Sequence, residues 1–195
     1  MIDIDLINSD NYEQHCAERF AHATIDVRYH GRHWVEDTPS VQHEPEGFFI
    51  RKHAEYTKKP ISEENAVLDR YTITDPEHPI YRRFQEITGL SVLRVVSNLQ
   101  RPGMFIPWHF DRNRSFLTKT AEVQEQDYNL EQLCHFFYFH TDQEPGQFFQ
   151  IGRSQLSWRA GDLFETTWWM PHATANASYS LRKVTSIIGF RKQNH

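Results

Sequence analysis

The second half of the chain alternates hydrophobic and polar residues in short runs, and this period of two is typical of β-strands. The clearest runs cover residues 90–99, 133–139 and 181–190, which are rich in β-branched and aromatic side chains. Shorter runs predict a strand that contains His109 and strands at 147–151, 154–158 and 163–169. Turn-forming residues lie between these runs, at 102–103, 144–146 and 160–162. Short strands separated by turns in this way indicate a sandwich or a barrel.

Three further stretches of the chain are predicted as loops. Residues 112–130 are polar and are interpreted as a loop or a lid, and residues 173–180 as a small polar loop. Residues 31–47, which are rich in charge, histidine and proline, are predicted as a loop as well.

The first 89 residues carry a mixed pattern in which helices are easier to identify than strands. A helix is predicted over residues 11–23 with Asp10 as its N-cap, because apolar residues recur there near helical spacing. A second helix is predicted over 79–88 and ends at Gly89, and acidic residues after Ser62 suggest the start of another. A short strand is predicted at 48–50.

These elements predict a mainly β protein with the double-stranded β-helix fold, the jelly roll, and with N-terminal helices packed on it. The β-helix is expected to span residues 90–195, and residues 1–89 are expected to be an α/β elaboration of the same domain. A chain of 195 residues is long enough for one domain with a substantial core.

Charge and cysteine content narrow the possible functions. The formal net charge of -5 disfavours sequence-independent binding of nucleic acid, which requires a basic surface. Cys16 and Cys134 are far apart, and no Cys-x-x-Cys motif is present, so the sequence predicts a reducing compartment and no disulfide framework. No basic leader and no long apolar run is visible, and we therefore expect a cytoplasmic protein without a membrane span.

Three residues stand out as a candidate metal site. His109 and Asp111 are two positions apart, and side chains at i and i+2 of a strand point to the same face. His172 follows Pro171 at the end of another strand-like run. Two histidines and one carboxylate form the facial triad of non-haem Fe(II) oxygenases, which leaves other coordination positions open. Arg182 begins the last predicted strand, where its guanidinium can bind a carboxylate bidentately.

Several segments around these residues resemble the Fe(II)/2-oxoglutarate-dependent dioxygenases. The chain is most similar to the branch that contains the aspartyl/asparaginyl β-hydroxylases and the small proline hydroxylases. The resemblance covers about half of the chain and rests on residues 101–111, 146–151, 158–162, 169–172 and 180–184. Residues 1–89 match no motif of the family.

The resemblance implies a role for each matching residue. His109, Asp111 and His172 match the ligands of Fe(II), and Arg182 matches the residue that binds the distal carboxylate of 2-oxoglutarate. Many relatives have a serine where this chain has Val184, so Thr185 or Ser186 is considered as a substitute.

Further contacts to the cosubstrate are expected from His135 or Tyr138, on the strand after residues 112–130. These two side chains lie on opposite faces of a regular strand, so at most one of them points inward.

The resemblance also implies a reaction and a class of substrate. It implies a hydroxylase that uses O2 and 2-oxoglutarate on an unactivated C–H bond, with an amino acid, free or in a peptide or protein, as the favoured substrate. Trp108, Arg112 and Arg114 are the candidate substrate contacts. The expected partner is a small molecule or peptide rather than nucleic acid or a membrane, and the oligomeric state is left open.

Two other functions fit the same pattern. A cupin-type metalloenzyme would keep the three metal ligands but would not use 2-oxoglutarate or need Arg182. A non-catalytic jelly-roll binding module would need neither metal nor cosubstrate.

Overall fold

The computed structural model describes residues 2–36, 42–45, 67–123 and 128–191. Its α-helices are α1 (Ile4–Asn8), α2 (Tyr12–Ala21), α3 (Pro79–Thr88) and α4 (Arg114–Val123), and a short 3-10 helix covers Leu130–Gln132. The strands are β1 (Arg28–Arg32), β2 (Gln42–Pro45), β3 (Val67–Ile73), β4 (Leu90–Gln100), β5 (Phe105–His109), β6 (Leu133–Phe139), β7 (Gln147–Ile151), β8 (Ser154–Gln155), β9 (Asp162–Thr167), β10 (His172–Asn176) and β11 (Arg182–Arg191). The predicted strand at 48–50 and the predicted helix start at Ser62 lie outside the described residues.

The strands of the described ranges form two antiparallel sheets. The larger sheet has the order β1-β9-β6-β11-β4-β3-β2, and the smaller has the order β5-β10-β7-β8. From β4 to β11 the chain alternates between the two sheets, except that β7 and β8 pair with each other in the smaller sheet, and this is the winding of a double-stranded β-helix. The prediction of a mainly β, jelly-roll protein is thereby confirmed.

Aromatic side chains fill the space between the two sheets. Phe137 and Phe139 of β6 contact Phe149 of β7, with ring centroids 4.9 and 5.3 Å apart, and Trp158 stacks on Phe139 at 4.5 Å. The interior side chains of β6 are therefore those at odd-numbered positions, because strand side chains alternate between faces.

Helix α3 covers the outer face of the larger sheet. The His78 side chain caps its N-terminus by accepting a hydrogen bond from the backbone N–H of Ile80, and Gly89 ends it in the left-handed conformation, as predicted. Phe84 is fully buried and meets Tyr138 at a ring distance of 5.5 Å. Tyr138 therefore belongs to the outer face of the sheet.

Helices α1, α2 and α4 pack together at one end of the barrel. Their apolar residues form one cluster with Trp168, Ile188 and Phe190. The prediction of N-terminal helices packed on the β-helix is confirmed. The prediction that residues 112–130 are a loop is wrong for α4, in which Phe116 and Leu117 are buried.

Several strands depart from the predicted pattern. Strand β10 includes residues 173–176, which were predicted as part of a loop, and β2 lies within the predicted loop 31–47. Strand β8 ends at Gln155, earlier than predicted. Strands β1 and β3 were not predicted, and both extend the larger sheet by pairing with β9 and β4.

Within the part of the chain that the structure describes, every helix is too short or too polar to cross a membrane.

Candidate metal centre

His109 is the last residue of β5 and faces the barrel interior because the strand contains an irregularity. His172 of β10 pairs with His109, but Thr174 pairs with Ile106, so β5 has one extra residue between the two pairs. Such a bulge re-aims the side chains on either side of it. Because of the extra residue, His109 and Ile106 both lie opposite inward-facing residues of β10, namely His172 and Thr174.

Each of the two histidines is oriented by a main-chain carbonyl two residues before it. Nδ1 of His109 donates to the carbonyl of Pro107 at 2.8 Å, and Nδ1 of His172 donates to the carbonyl of Met170 at 3.4 Å. A neutral imidazole has one N–H, so this hydrogen bond leaves a lone pair on Nε2 whenever the ring is neutral.

Asp111 lies just beyond the end of β5, and its carboxylate faces both of these nitrogen atoms. Oδ1 is 3.4 Å from Nε2 of His109, and Oδ2 is 3.6 Å from Nε2 of His172. The ligand atoms of the three residues all lie within 4.8 Å of one another. The sequence prediction that these residues meet is therefore confirmed, and their role as ligands stays a prediction.

The environment of the cluster favours the protonation states that bind a metal. Burial, together with the nearby His109, lowers the pKa of His172 to about 3, so its imidazole is neutral at neutral pH. Burial opposes ionisation of Asp111, but His172 and His109 outweigh it and hold the pKa of this carboxyl well below its usual range. The neutral His172 and the ionised Asp111 therefore converge on one point with the His109 ring.

His135 is the fourth titratable side chain at the cluster. Its Nδ1 is 3.9 Å from Oδ2 of Asp111, and its Nε2 is 2.6 Å from Oγ of Ser186. Burial lowers the pKa of His135 to about 4, which keeps it neutral as well. His135 and Ser186 thus lie beside the predicted metal ligands.

Two of the predicted cosubstrate contacts lie on the wrong face of the sheet. Tyr138 points outward and donates its hydroxyl to the carbonyl of His33 at 3.0 Å. Thr185 also faces outward, where its hydroxyl contacts Ser97 at 2.6 Å and His140 at 2.7 Å. Strand alternation excludes both from the interior, so only His135 and Ser186 of these candidates lie at the centre.

Arg182 is completely buried at the start of β11, with an exposure of 0%. Its Nη1 donates to the carbonyls of Phe148 and Ala175 at 2.7 and 3.2 Å. Its Nη2 donates to Oε1 of Gln100 and to Oγ1 of Thr174. Its Nε–H is buried and has no acceptor.

No carboxylate among the described residues lies within ion-pair distance of the Arg182 guanidinium, whose buried charge therefore has only neutral partners. Burial lowers the pKa of Arg182 to about 9, which still leaves it charged at neutral pH. A buried charge without a counter-ion is costly, and an anionic ligand would relieve that cost. Sequence reasoning expected a bidentate contact, but the free donor here is the single Nε–H.

The Arg182 guanidinium and the His cluster are neighbours along the same barrel interior. Thr174, which contacts Arg182, is two residues from His172 on the same face of β10, a separation of roughly 7 Å. The Phe149 ring lies between them, 6.4 Å from the His172 ring and 5.7 Å from the guanidinium carbon. Gln100 and Thr174 were missed by sequence analysis, because a lone Gln or Thr in a strand gives no signal.

Two of the three candidate substrate contacts are engaged by the N-terminal segment. Arg112 donates to the carbonyl of Ser9 at 3.1 Å, and Arg114 donates to the carbonyl of Asn8 at 3.4 Å. Both arginines therefore hold the N-terminal segment. Trp108 is half-buried on β5, in the irregular part of the strand.

The search of protein-family models and the search of curated proteins found no match to the sequence. Solved structures share the general architecture at low identity. A prolyl-4-hydroxylase from Pseudomonas putida is 14% identical with a TM-score of 0.47, and the match covers 97% of this chain and 88% of that one. A viral collagen prolyl hydroxylase from Paramecium Bursaria Chlorella virus-1, solved in complex with 2OG, is 11% identical with a TM-score of 0.45, covering 63% and 78%.

A cupin protein from Bacteroides fragilis is 13% identical with a TM-score of 0.38, covering 65% of this chain and 80% of that one. The assignment to the double-stranded β-helix class rests on the strand order of this chain itself.

Proposed function

We propose that this protein is an Fe(II)- and 2-oxoglutarate-dependent oxygenase that hydroxylates an unactivated C–H bond. The observation that carries the proposal is the convergence of His109, Asp111 and His172, whose ligand atoms lie within 4.8 Å of one another. Two imidazole nitrogen atoms and an ionised carboxylate that converge on one point form a ligand set for a cation.

The donor set fits an open, catalytic iron site better than a closed, structural metal site. Three protein ligands leave other coordination positions open, which is typical of non-haem Fe(II) oxygenases. The Asp111 side chain retains 32% of its exposure, so the cluster is open on that side. When bound, the iron would supply the activation of O2, which amino-acid side chains do not provide.

Arg182 supports the assignment of a dicarboxylate cosubstrate. The buried guanidinium offers a positive charge and one free N–H, and it contacts Thr174, which is roughly 7 Å along β10 from His172. A five-carbon dicarboxylate such as 2-oxoglutarate can place one carboxylate near Arg182 while its keto-acid end reaches the metal cluster. His135 and Ser186 are the candidates for further contacts at that end.

In the proposed reaction, the residues of the chain would bind the metal and the cosubstrate and would exclude water. The overall reaction converts 2-oxoglutarate, O2 and a C–H bond into succinate, CO2 and a C–OH group, so its atoms balance without a protein acid or base. His109, Asp111 and His172 hold the metal, and Arg182 orients the cosubstrate. Phe137 and Phe149 form an aromatic wall, which would keep water away from the space between the metal cluster and Arg182.

The proposed substrate is an amino acid, free or within a peptide or protein. This part of the proposal rests on the sequence resemblance, because Arg112 and Arg114 are engaged with backbone carbonyls. A screen of amino acids and peptides for substrate-dependent release of succinate would test it.

The cosubstrate is tested by anaerobic addition of Fe(II) and 2-oxoglutarate, which should produce a weak visible charge-transfer band. We expect the band to require both components and to be absent in His109→Ala. Arg182→Ala should weaken 2-oxoglutarate binding by more than about 10-fold, the equivalent of one lost charge-assisted contact of about 1.5–3 kcal/mol. The exposed Arg82→Ala is the matched control and should behave as the wild type.

Arg182 is buried, so its replacement must also be checked for an effect on folding. The affinity for Fe(II), measured without 2-oxoglutarate, provides that check. Arg182→Ala should bind Fe(II) as the wild type does, which separates a lost cosubstrate contact from a lost fold. Formation of the same band by Arg182→Ala at the same 2-oxoglutarate concentration would contradict the assignment of Arg182.

A metalloenzyme that does not use 2-oxoglutarate is the second candidate, and one observation favours it. Nη1 and Nη2 of Arg182 already donate to four protein acceptors, as in a purely structural arginine. In that case Fe(II) would bind without a chelate band, and 2-oxoglutarate would not alter the metal's spectrum.

A further inference from the structure

Tyr12, at the start of α2, is completely buried beneath the loop that carries Asp111. Its phenol Oη donates a hydrogen bond of 2.6 Å to the main-chain carbonyl of Asp111. The two residues are 99 positions apart, so this bond ties the N-terminal helical segment directly to a predicted metal ligand.

The loop needs such a contact because the β-ladder does not extend to it. Strand β5 ends at His109, and Asp111 lies beyond its last residue. Asn113 then takes a left-handed conformation with a φ of 49°, which marks a sharp change of direction. The direction of the Asp111 carboxylate therefore depends on whatever fixes the main chain of this loop.

The N-terminal segment supplies the other contacts to the same loop. Arg112 donates to the carbonyl of Ser9 at 3.1 Å, and its guanidinium lies 5.1 Å above the Tyr12 ring. Arg114 reaches the carbonyl of Asn8 at 3.4 Å. The N-terminal segment thus holds the loop at Asp111 and at the two arginines that follow it.

Tyr12 also touches the segment that leads to the third ligand. Its ring lies 6.1 Å from the ring of Trp168, which is buried four positions before His172. One side chain therefore adjoins both parts of the chain that must be aligned for Asp111 and His172 to share a metal.

We propose that Tyr12 is a positioning residue for the metal centre, acting through the main chain of Asp111. The inference rests on the proposed function, because it assumes that Asp111 is a ligand. It also assigns a role to the N-terminal segment, which the family resemblance does not cover.

The test compares Tyr12→Phe with Tyr128→Phe in the metal-free protein. Tyr128 is buried in the same apolar cluster, and its hydroxyl lies 3.0 Å from Oγ of Ser91, which is not one of the predicted metal ligands. Each variant loses one buried tyrosine hydroxyl and no ring. Thermal unfolding should therefore show losses of similar size.

Co(II) titration distinguishes positioning from general stability, because the visible bands of Co(II) report its coordination. Groups that orient metal ligands typically change affinity by about 10–100-fold, so we expect Tyr12→Phe to weaken Co(II) binding by about 10-fold and to alter the bands. Tyr128→Phe should bind Co(II) with wild-type affinity and bands.

Wild-type affinity and bands in Tyr12→Phe would overturn the positioning role, and so would equal weakening by both variants. Absence of saturable Co(II) binding by the wild type would be a different result. It would refute the metal site itself, and the role of Tyr12 with it.

Discussion

At the scale of single residues, the tautomers of two histidines determine what the cluster can bind. Carbonyl acceptors hold the Nδ1–H of His109 and His172, which turns Nε2 of both rings toward the Asp111 carboxylate. The neutral His172 ring has no proton to give to Asp111. Under the proposed function, the site is organised for a cation before one arrives, and protons compete with that cation.

The pKa shifts predict how acid affects the metal-free protein. The pKa values of His172 and His135 are lowered to about 3 and about 4, from 6.5 in the unfolded chain. Between about pH 4 and 6.5 the unfolded state binds more protons, so the free energy of unfolding must fall as the pH is lowered. Each imidazole contributes at most about 1.4 kcal/mol per pH unit in this window.

Urea unfolding at a series of pH values from 7 to 4 measures this slope. His135→Gln should reduce the slope of the unfolding free energy against pH by an amount that corresponds to at most one proton. Replacement of the exposed His22 by Gln should leave the slope as in the wild type. An unfolding free energy that stays level from pH 6.5 to 4 in the wild type would contradict the neutral, buried state of these rings.

Sequence reasoning located the residues that carry their own chemical signal. His109, Asp111, His172 and Arg182 were found because histidine, carboxylate and arginine at particular strand positions are uncommon. Strand alternation also predicted correctly that His135 and Tyr138 cannot both face inward. Tyr12 was missed because its role depends on a contact 99 residues away, which no local pattern encodes.

At the scale of elements, the regular part of the fold was predicted and the parts that depend on long-range pairing were not. Strand β6 and helix α3 were predicted with the observed bounds, since their patterns are local and strong. Strand β1 is largely exposed and polar, and it forms only because β9 offers it hydrogen-bond partners. Helix α4 was taken for a loop because its polar residues outnumber the buried pair Phe116 and Leu117.

Two turn glycines provide a matched pair for testing how the connection between β10 and β11, which precedes Arg182, packs against a neighbouring turn. Gly103 and Gly146 both have positive φ values, 85° and 90°, so alanine is strained at either position. An added Cβ would meet no atom within 4 Å at Gly103, but at Gly146 it would lie 2.6 Å from the carbonyl oxygen of Ala177. Ala177 belongs to the connection between β10 and β11.

Gly103→Ala should therefore cost about 1–2 kcal/mol of unfolding free energy, from backbone strain alone. Gly146→Ala should cost about 1–3 kcal/mol more, because the connection must shift to make room. Chemical denaturation of both variants measures the difference. Equal losses would show that this connection does not pack against the turn as described.

At the scale of the whole molecule, the N-terminal part completes the barrel on several sides. Strand β1 forms one edge of the larger sheet, and β3 and β2 form the other. Helix α3 covers the outer face of this sheet, while α1 and α2 close the end near the metal cluster. A boundary at residue 89 stays a prediction, and the hydrogen bonding of β3 to β4 crosses it.

The most direct test of the central claim is anaerobic equilibrium dialysis of Fe(II) against the purified chain. Wild-type protein should bind one Fe(II) per chain at the cluster of His109, Asp111 and His172. Replacing any one of the three by Ala should reduce affinity by more than about 100-fold, beyond the 10–100-fold typical of groups outside the ligand set. The exposed His22→Ala should retain wild-type binding. Stoichiometric binding that survives in all three variants would contradict the account.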